Sequence, residues 1–288
     1  RSRIGVLLLL SCVMNAAVPP GALLDRDAVM AARAAVDLKR FPDAEVILLA
    51  DYEKVAYQCD ATDSKTDDFY YLIVTEKGRD ENRTLDFHFN EFYQKPDLLL
   101  LEIIKPDGRI VKPEVQCRTV TEPDQLSSNI FDPADKVLQV GVPDLQVGDM
   151  LHVVYRCDTI RPRMRGIWCD IAVLQADCPV LAYRYEISAP EQCPLAAIAV
   201  KNEVPGALDI TVTKKGDRIT YVWDASNVPQ LHPEPGMPPL YLHAMRILVS
   251  TAPDWAAVSR WYDELCRKHI EKVSPELVAK SRELASGA

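Results

Sequence analysis

Asp209-Ile-Thr-Val-Thr-Lys-Lys-Gly-Asp-Arg-Ile-Thr-Tyr-Val-Trp-Asp224 decides the fold class. Lys214-Lys-Gly-Asp217 is a turn, because Gly supplies the backbone freedom that a tight reversal needs. In the arm that follows it, Ile219, Tyr221 and Trp223 alternate with Thr220, Val222 and Asp224. A period of two belongs to a strand with one face on a core. The stretch therefore predicts a β-hairpin, with Ile219, Tyr221 and Trp223 on one face.

The same grammar extends outward. Lys105-Pro-Asp-Gly-Arg109 separates two apolar runs and predicts a second tight hairpin. Short β-rich runs recur between turn signals at 46–49, 69–75, 85–92, 98–104, 137–140, 150–157, 167–174, 180–187, 195–200, 210–212, 219–223 and 244–249. No helical run of ordinary length interrupts them, which points to antiparallel sheets. Pro-rich Pro229–Pro239 reads as a loop or strap, since Pro cannot donate to a ladder. Helical periodicity is confined to the flanks. Residues 25–39 read as a helix capped by Asp25 or Asp27 and ended by Phe41-Pro42-Asp43. Asp254 can cap a helix carrying Trp255, Val258, Trp261, Tyr262 and Leu265, and Ser274-Pro275 can start another. The expected fold class is mainly β: an antiparallel β-sandwich-like domain with a short N-terminal helix and C-terminal linker helices. The expected boundaries are 1–22 (signal peptide), 23–43 (N-terminal helix), 44–251 (β-sandwich-like domain) and 252–288 (helical linker).

Composition narrows the function classes. The 288 residues are 48% hydrophobic and 26% charged, which excludes wholesale disorder. The net charge of −9 with no Lys/Arg stripe argues against nucleic acid as a partner. Eleven Gly against 21 Pro argue against a nucleotide-cradling α/β fold. Arg1 and Arg3 precede the apolar run 4–13, then small residues through Ala22, as in a secretory signal peptide. The run is far short of the ~20 residues that span a bilayer, so no transmembrane span is expected. Leu9-Leu10-Ser11-Cys12 also resembles a bacterial lipobox, so the exported protein is periplasmic or envelope-bound, with Cys12 the candidate lipidation site. The chain starts at Arg1 and stops after the Ser274-Pro275 helix, and sequence is expected beyond both ends. Export permits disulfides among the eight Cys at 12, 59, 117, 157, 169, 178, 193 and 266. Five fall between 117 and 193, where one or two bridges are plausible and their connectivity is open. Buried free thiols are the other reading.

A search for chemistry finds no phosphate-binding Gly loop, nucleophile elbow, His-Glu-x-x-His or calcium loop. No Cys-x-x-Cys pair occurs, and no Cys stands at zinc-like spacing to a His. The His residues (88, 152, 232, 243 and 269) are isolated, and His152 reads as a satisfied strand residue. Cys178 in Asp177-Cys178-Pro179 leads into a strand and lacks the helix dipole that would make it a nucleophile. Asp67-Asp68 and Asp80-Glu81 read as solvated loop carboxylates. Trp168, Trp223, Tyr221 and Tyr185 could line a sugar-binding face, but strands of period two bury such rings more often. No catalytic, cofactor-binding or metal residue is nominated, and no cofactor is called for.

Several stretches together resemble one family. They are Phe41–Glu53, Ile104-Lys-Pro-Asp-Gly-Arg109, Leu145–Tyr155 with its Val147-Gly148-Asp149 turn, Pro179-Val-Leu, Pro190, Trp223, Pro233–Pro239, Ile247–Thr251, and Trp255 with Trp261-Tyr262. Their order over residues 41–265 resembles the domain of unknown function that precedes transglutaminase-like domains in exported bacterial proteins. The resemblance implies a β-sandwich-like domain followed by a papain-like core with a Cys-His-Asp triad. That core would begin near Ala288, so no triad position transfers to this chain. The Cys content departs from the family's sparse use.

Three functions stay open on the sequence. One is a non-catalytic accessory domain partnered with a downstream transglutaminase-like domain, and with cell-envelope protein or peptide. Another is a free-standing binding module for cell-envelope glycan or peptide. The third is an enzyme acting through Cys178 or His152. Substrate, bond type and oligomeric state are not legible.

Overall fold

The computed structural model describes residues 21–121 and 131–286, the side chains of 268 and 269 aside. The expected signal peptide through residue 20 and its Cys12 lie outside the described residues. Hairpin chemistry and alternation build the main sheet. The quoted stretch forms β12 (Leu208–Lys215) and β13 (Arg218–Val228), with Gly216 at φ 62° in the turn. Lys105–Arg109 joins β4 (Gln94–Ile104) to β5 (Ile110–Val111), with Gly108 at φ 85°. Between these edges lie β10 (Val180–Pro190), β1 (Val46–Tyr57), β2 (Asp63–Ile73) and β8 (Met150–Thr159). The order across this eight-stranded sheet is β12-β13-β10-β1-β2-β8-β4-β5. Its neighbours run antiparallel except β1 and β10, which pair in parallel from Leu48↔Val180 to Ala56↔Ser188.

Two three-stranded sheets complete the β-domain. One has β11 (Ala197–Lys201), β14 (Arg246–Ser250) and β9 (Cys169–Val173), in that order. The other has β3 (Thr84–Asn90), β7 (Asp135–Gly141) and β6 (Gln116–Thr121). Side chains from both join one face of the large sheet in a single core. That core includes Leu48, Val55, Leu101, Val153, Tyr185 and Trp223 of the large sheet, with Val140, Ala172 and Ile247 of the small ones. Trp223 and Tyr185 are wholly buried with ring centroids 5.4 Å apart. Burying such a ring is worth roughly 1.5–3 kcal/mol. Trp168 and Tyr221 are buried as well, so the four aromatics considered for a sugar-binding face belong to the core.

Part of the opposite face of the large sheet, over β1, β2, β4 and β8, is covered by the N-terminal segment. Asp25 accepts from the Asp27 and Ala28 N–H groups and starts α1 (Arg26–Ala34). Val29 packs there with Ile47, Leu49, Tyr70, Leu72, Ile104 and Met150. The helix is shorter than the expected 25–39. Asp37 turns its carboxylate back onto the Lys39 N–H and opens a separate 3-10 turn at Leu38–Arg40.

A helix the sequence reading did not foresee, α2 (Glu76–Glu81), follows β2. Its six residues are too few to show a period. Thr75 caps it at the Gly78 N–H, and a Cβ on Gly78 would sit 2.1 Å from the Glu45 carbonyl oxygen. Two C-terminal helices match expectation: α3 (Trp255–Ile270), capped by Asp254, and α4 (Pro275–Ser286). Among the described residues no helix is long and apolar enough to cross a membrane.

The disulfide departs from the cluster considered at 117–193. Cys193 bonds Cys59, 134 residues away. The parallel pairing of β1 and β10 brings their C-terminal ends together and sets the two Cα atoms 5.6 Å apart. Cys117, Cys157, Cys169, Cys178 and Cys266 are free thiols.

Candidate functional site

Two bulges decide which charged residues the large sheet buries. In β1 the register shifts between Leu48 and Ala50. Leu48 faces the main core, and after the bulge the odd positions face it instead. Asp51 and Glu53 are thereby carried inward with Val55 and Tyr57. In β4 a shift between Leu98 and Leu100 sends Leu101 and Ile103 to the main core and Glu102 to the other side. Each bulge inserts one residue and reverses the face of everything beyond it.

On the α1 side, Glu102 meets His152 and Asp68. His152 Nε2 lies 2.9 Å from Asp68 Oδ1 and Nδ1 lies 3.3 Å from Glu102 Oε2. All three side chains are buried, and Tyr70 stacks on the imidazole at 3.8 Å. Asp68 Oδ2 accepts the Leu23 and Leu24 N–H groups at 2.6 and 2.9 Å. Arg26 and Lys112 pair with Glu102. Burial pushes the Glu102 carboxyl up, but His152, Arg26 and Lys112 outweigh it and hold it below its usual value. The cluster holds no nucleophile, and its chemistry is that of a clasp between the N-terminal arm and the sheet.

The second cluster lies on the inner face, where the two small sheets approach. Glu53 of β1 stands opposite Asp67 of β2, and Asp67 opposite Tyr155 of β8. Lys65 joins Glu53 at 2.7 Å and Asp170 of β9 at 3.4 Å. Tyr183 donates to Glu53 at 2.5 Å, and Tyr185 donates to Asp170 at 2.8 Å. Asp51 and Asp67 share a hydrogen bond. Burial, then repulsion from Asp67 and Glu53, raises the Asp51 carboxyl well above its usual range. Burial and Glu53 push Asp67 up to about 7, against the pull of Asp51 and Lys65. Burial alone would lower the Lys65 ammonium, but Glu53 and Asp170 outweigh it and raise it. A cleft of about 220 Å³ opens beside this cluster, lined by Glu53, Lys65, Asp67, Asp86, Phe87, His88, Tyr155 and Cys157. A larger recess of about 420 Å³ lies around Arg83, Glu114, Gln116 and residues 141–146. Among the described residues no group of three or more His, Cys, Asp or Glu side chains is arranged to hold a metal ion.

Asp67 gives the domain a pH signature. A carboxyl raised on folding lends stability that is full below its unfolded value of 3.8 and is lost as pH climbs through about 7. Asp67→Asn keeps a side-chain oxygen to accept from Asp51 and removes this titration. Urea unfolding should show wild type losing about 2 kcal/mol relative to the variant between pH 5 and pH 8. Parallel pH profiles for the two proteins would contradict the placement of Asp67.

Against expectation, Asp67 and Asp68 are strand residues rather than loop carboxylates. They point to opposite faces of β2, each into a buried cluster. Asp80 and Glu81 are solvent-exposed as read from sequence, though on the helix α2 rather than in a loop, and His152 is held by two carboxylates, as a satisfied strand residue would be. Cys178 is buried beside β10, and burial with the neighbouring Asp177 charge pushes its thiol up to about 12. The inner cluster escaped the sequence reading because 63–68 is uniformly polar. A cue existed in Asp51 and Glu53, which continue the apolar run that begins at Val46.

A structure of a protein from Parabacteroides distasonis, described as "a putative protease", superimposes with a TM-score of 0.65 at 18% identity. The match covers 74% of this chain and 41% of that one, so the chain spans less than half of its relative. An M1 zinc metallopeptidase from Deinococcus radiodurans gives a TM-score of 0.34 at 14% identity, over 72% of this chain and 42% of that one. No curated protein matches. The model of a domain of unknown function with solved structure, DUF3857, matches residues 60–231, from the β1–β2 turn to the Pro-rich loop that follows β13. That is more than half of the chain, and the chain belongs to the DUF3857 family.

Proposed function

We infer that this chain is a non-catalytic accessory domain of an exported transglutaminase-like protein, whose Cys-His-Asp core lies beyond residue 288. One observation carries the reading. Trp255, Val258, Tyr262 and Leu265 repeat at 3-4-3 spacing on α3, the stripe by which a helix packs on a neighbour. Yet Trp255 is 85% exposed and Tyr262 61%. Leu277 and Leu284, seven residues apart on α4, are exposed too. An uncovered stripe of this kind marks an interface. The occupant inferred here is the catalytic domain of the same polypeptide. The Parabacteroides protein supports the reading, since this fold occupies under half of it. The Cys59–Cys193 disulfide suits an oxidising, exported compartment. The binding-module alternative loses its best support with the burial of Trp168, Tyr185, Tyr221 and Trp223.

The test is to assay peptide hydrolysis and amine transfer by this chain and by the polypeptide extended beyond residue 288. The chain alone should be inert and the extended protein active through a cysteine outside residues 1–288. Activity in the chain alone, abolished at Cys178, would overturn the reading.

A further inference from the structure

At one end of the β-domain, the turn from β3 to β4 meets the loop that follows β8. Phe92 and Tyr93 lie in the turn, and Ile160–Gly166 is the loop. The backbone ties the two together, since the Ile160 and Arg161 N–H groups donate to the Tyr93 carbonyl at 2.9 and 3.1 Å. The far end of the loop is tied by the Gly166 N–H to the Asp60 carbonyl at 3.4 Å. This tip presents apolar and cationic side chains together. Phe92 is 51% exposed and Ile160 57%. Arg161, Arg163 and Arg165 are exposed, alternating with half-buried Pro162 and Met164. The Arg161 guanidinium sits 4.2 Å from the Phe92 ring centre, and that of Arg163 sits 4.4 Å from the Tyr93 ring centre. Contact through the ring face steadies a guanidinium and leaves its N–H donors to other partners. Among the described residues no carboxylate pairs with any of the three arginines. The carboxylates around the tip are taken: Glu91 by Lys136 at 3.4 Å, Asp158 by Arg156 at 3.6 Å, and Asp60 by the Thr62 N–H and hydroxyl. In a chain of net charge −9 the tip is therefore a local reversal of charge.

We propose that this tip docks on an anionic lipid bilayer, with the three guanidinium groups on headgroup phosphates and Phe92 and Ile160 in the interface beside them. The proposal does not rest on the accessory role. Exposed apolar side chains gain by leaving water, and a bilayer interface accepts them without a complementary groove. A guanidinium matches phosphate through paired donors, and each arginine close to an anionic leaflet strengthens binding about fivefold. A free anion would use the arginines and leave Phe92 and Ile160 in water. The negative charge on the rest of the molecule is repelled by the leaflet, so the approach is oriented tip first.

The experiment titrates the full chain with vesicles of phosphatidylcholine containing about 30% phosphatidylglycerol, and with vesicles of phosphatidylcholine alone. Affinity is read from amide exchange at 91–93 and 160–165, which separates this contact from any binding by the apolar run 4–13. Anionic vesicles should slow exchange in both segments and bind at least about twentyfold more tightly than neutral ones. Arg161→Gln/Arg163→Gln/Arg165→Gln should weaken that binding about a hundredfold, and Ile160→Ser about tenfold. Both variants change exposed residues and should unfold in urea as wild type does. Vesicle-bound protein whose two segments exchange as in the free chain would overturn the proposal. So would unchanged affinity in the triple variant. Slowing by inorganic phosphate alone would mark a free-anion site, and binding of oligoglutamate to these segments as tight as that of the vesicles would mark an acidic protein partner; either result overturns the assignment to lipid.

Discussion

Removing the Cys59–Cys193 bond should cost the β-domain about 5 kcal/mol, the largest single effect expected in this chain. The bond closes a loop of 134 residues, and the entropy a cross-link removes from the unfolded chain grows with loop length. Its position adds to this. It clamps the C-terminal ends of β1 and β10, the one parallel pair of the large sheet, whose partners are far apart in sequence. Tyr57 braces the same corner by donating to the Cys193 carbonyl at 2.7 Å. Cys59→Ala/Cys193→Ala should lower the melting temperature by roughly 10–20 °C. Wild type under reducing conditions should reproduce that shift. A change under about 1 kcal/mol would mean that sheet pairing alone holds this corner.

The clasp on the other face should be nearly as costly to break. Asp68→Ala strips the acceptor from the Leu23 and Leu24 N–H groups and leaves His152 with one carboxylate partner. Breaking a buried pair from one side costs about 3–5 kcal/mol, because the remaining groups stay buried and unpaired. The damage should also be local. Amide exchange across 21–34 should accelerate far more than exchange in β13, since α1 is held by this clasp and by the Arg33 bond to the Gly148 carbonyl. A uniform loss of protection would contradict the clasp. Retained protection at Leu23 and Leu24 would contradict it as well.

These clusters also show what the sequence could and could not reveal. Hairpins announced themselves through Gly108 and Gly216, both at positive φ, and through the alternation of Ile219, Tyr221 and Trp223. The α3 helix was legible from Asp254 and its apolar stripe. The bulges at β1 and β4 were not, because an inserted residue inside an apolar run such as Leu98–Leu101 leaves no mark. Those bulges alone decide that Asp51 and Glu53 turn inward and Glu102 outward. Asp63–Asp68 looked like a loop because a strand burying charge on both faces has no polar-apolar alternation to read. The parallel β1–β10 contact, and with it the disulfide, joins segments too distant for local patterns to connect.

The most direct test of the accessory role is hydrogen exchange across α3, residues 255–270, in this chain and in the polypeptide extended beyond residue 288. In the chain alone, a helix with Trp255 and Tyr262 in solvent has little packing to protect it. Once the following domain covers that stripe, protection of α3 should rise by about a hundredfold or more, while β13 stays unchanged. Equal exchange of α3 in the two proteins would contradict the account.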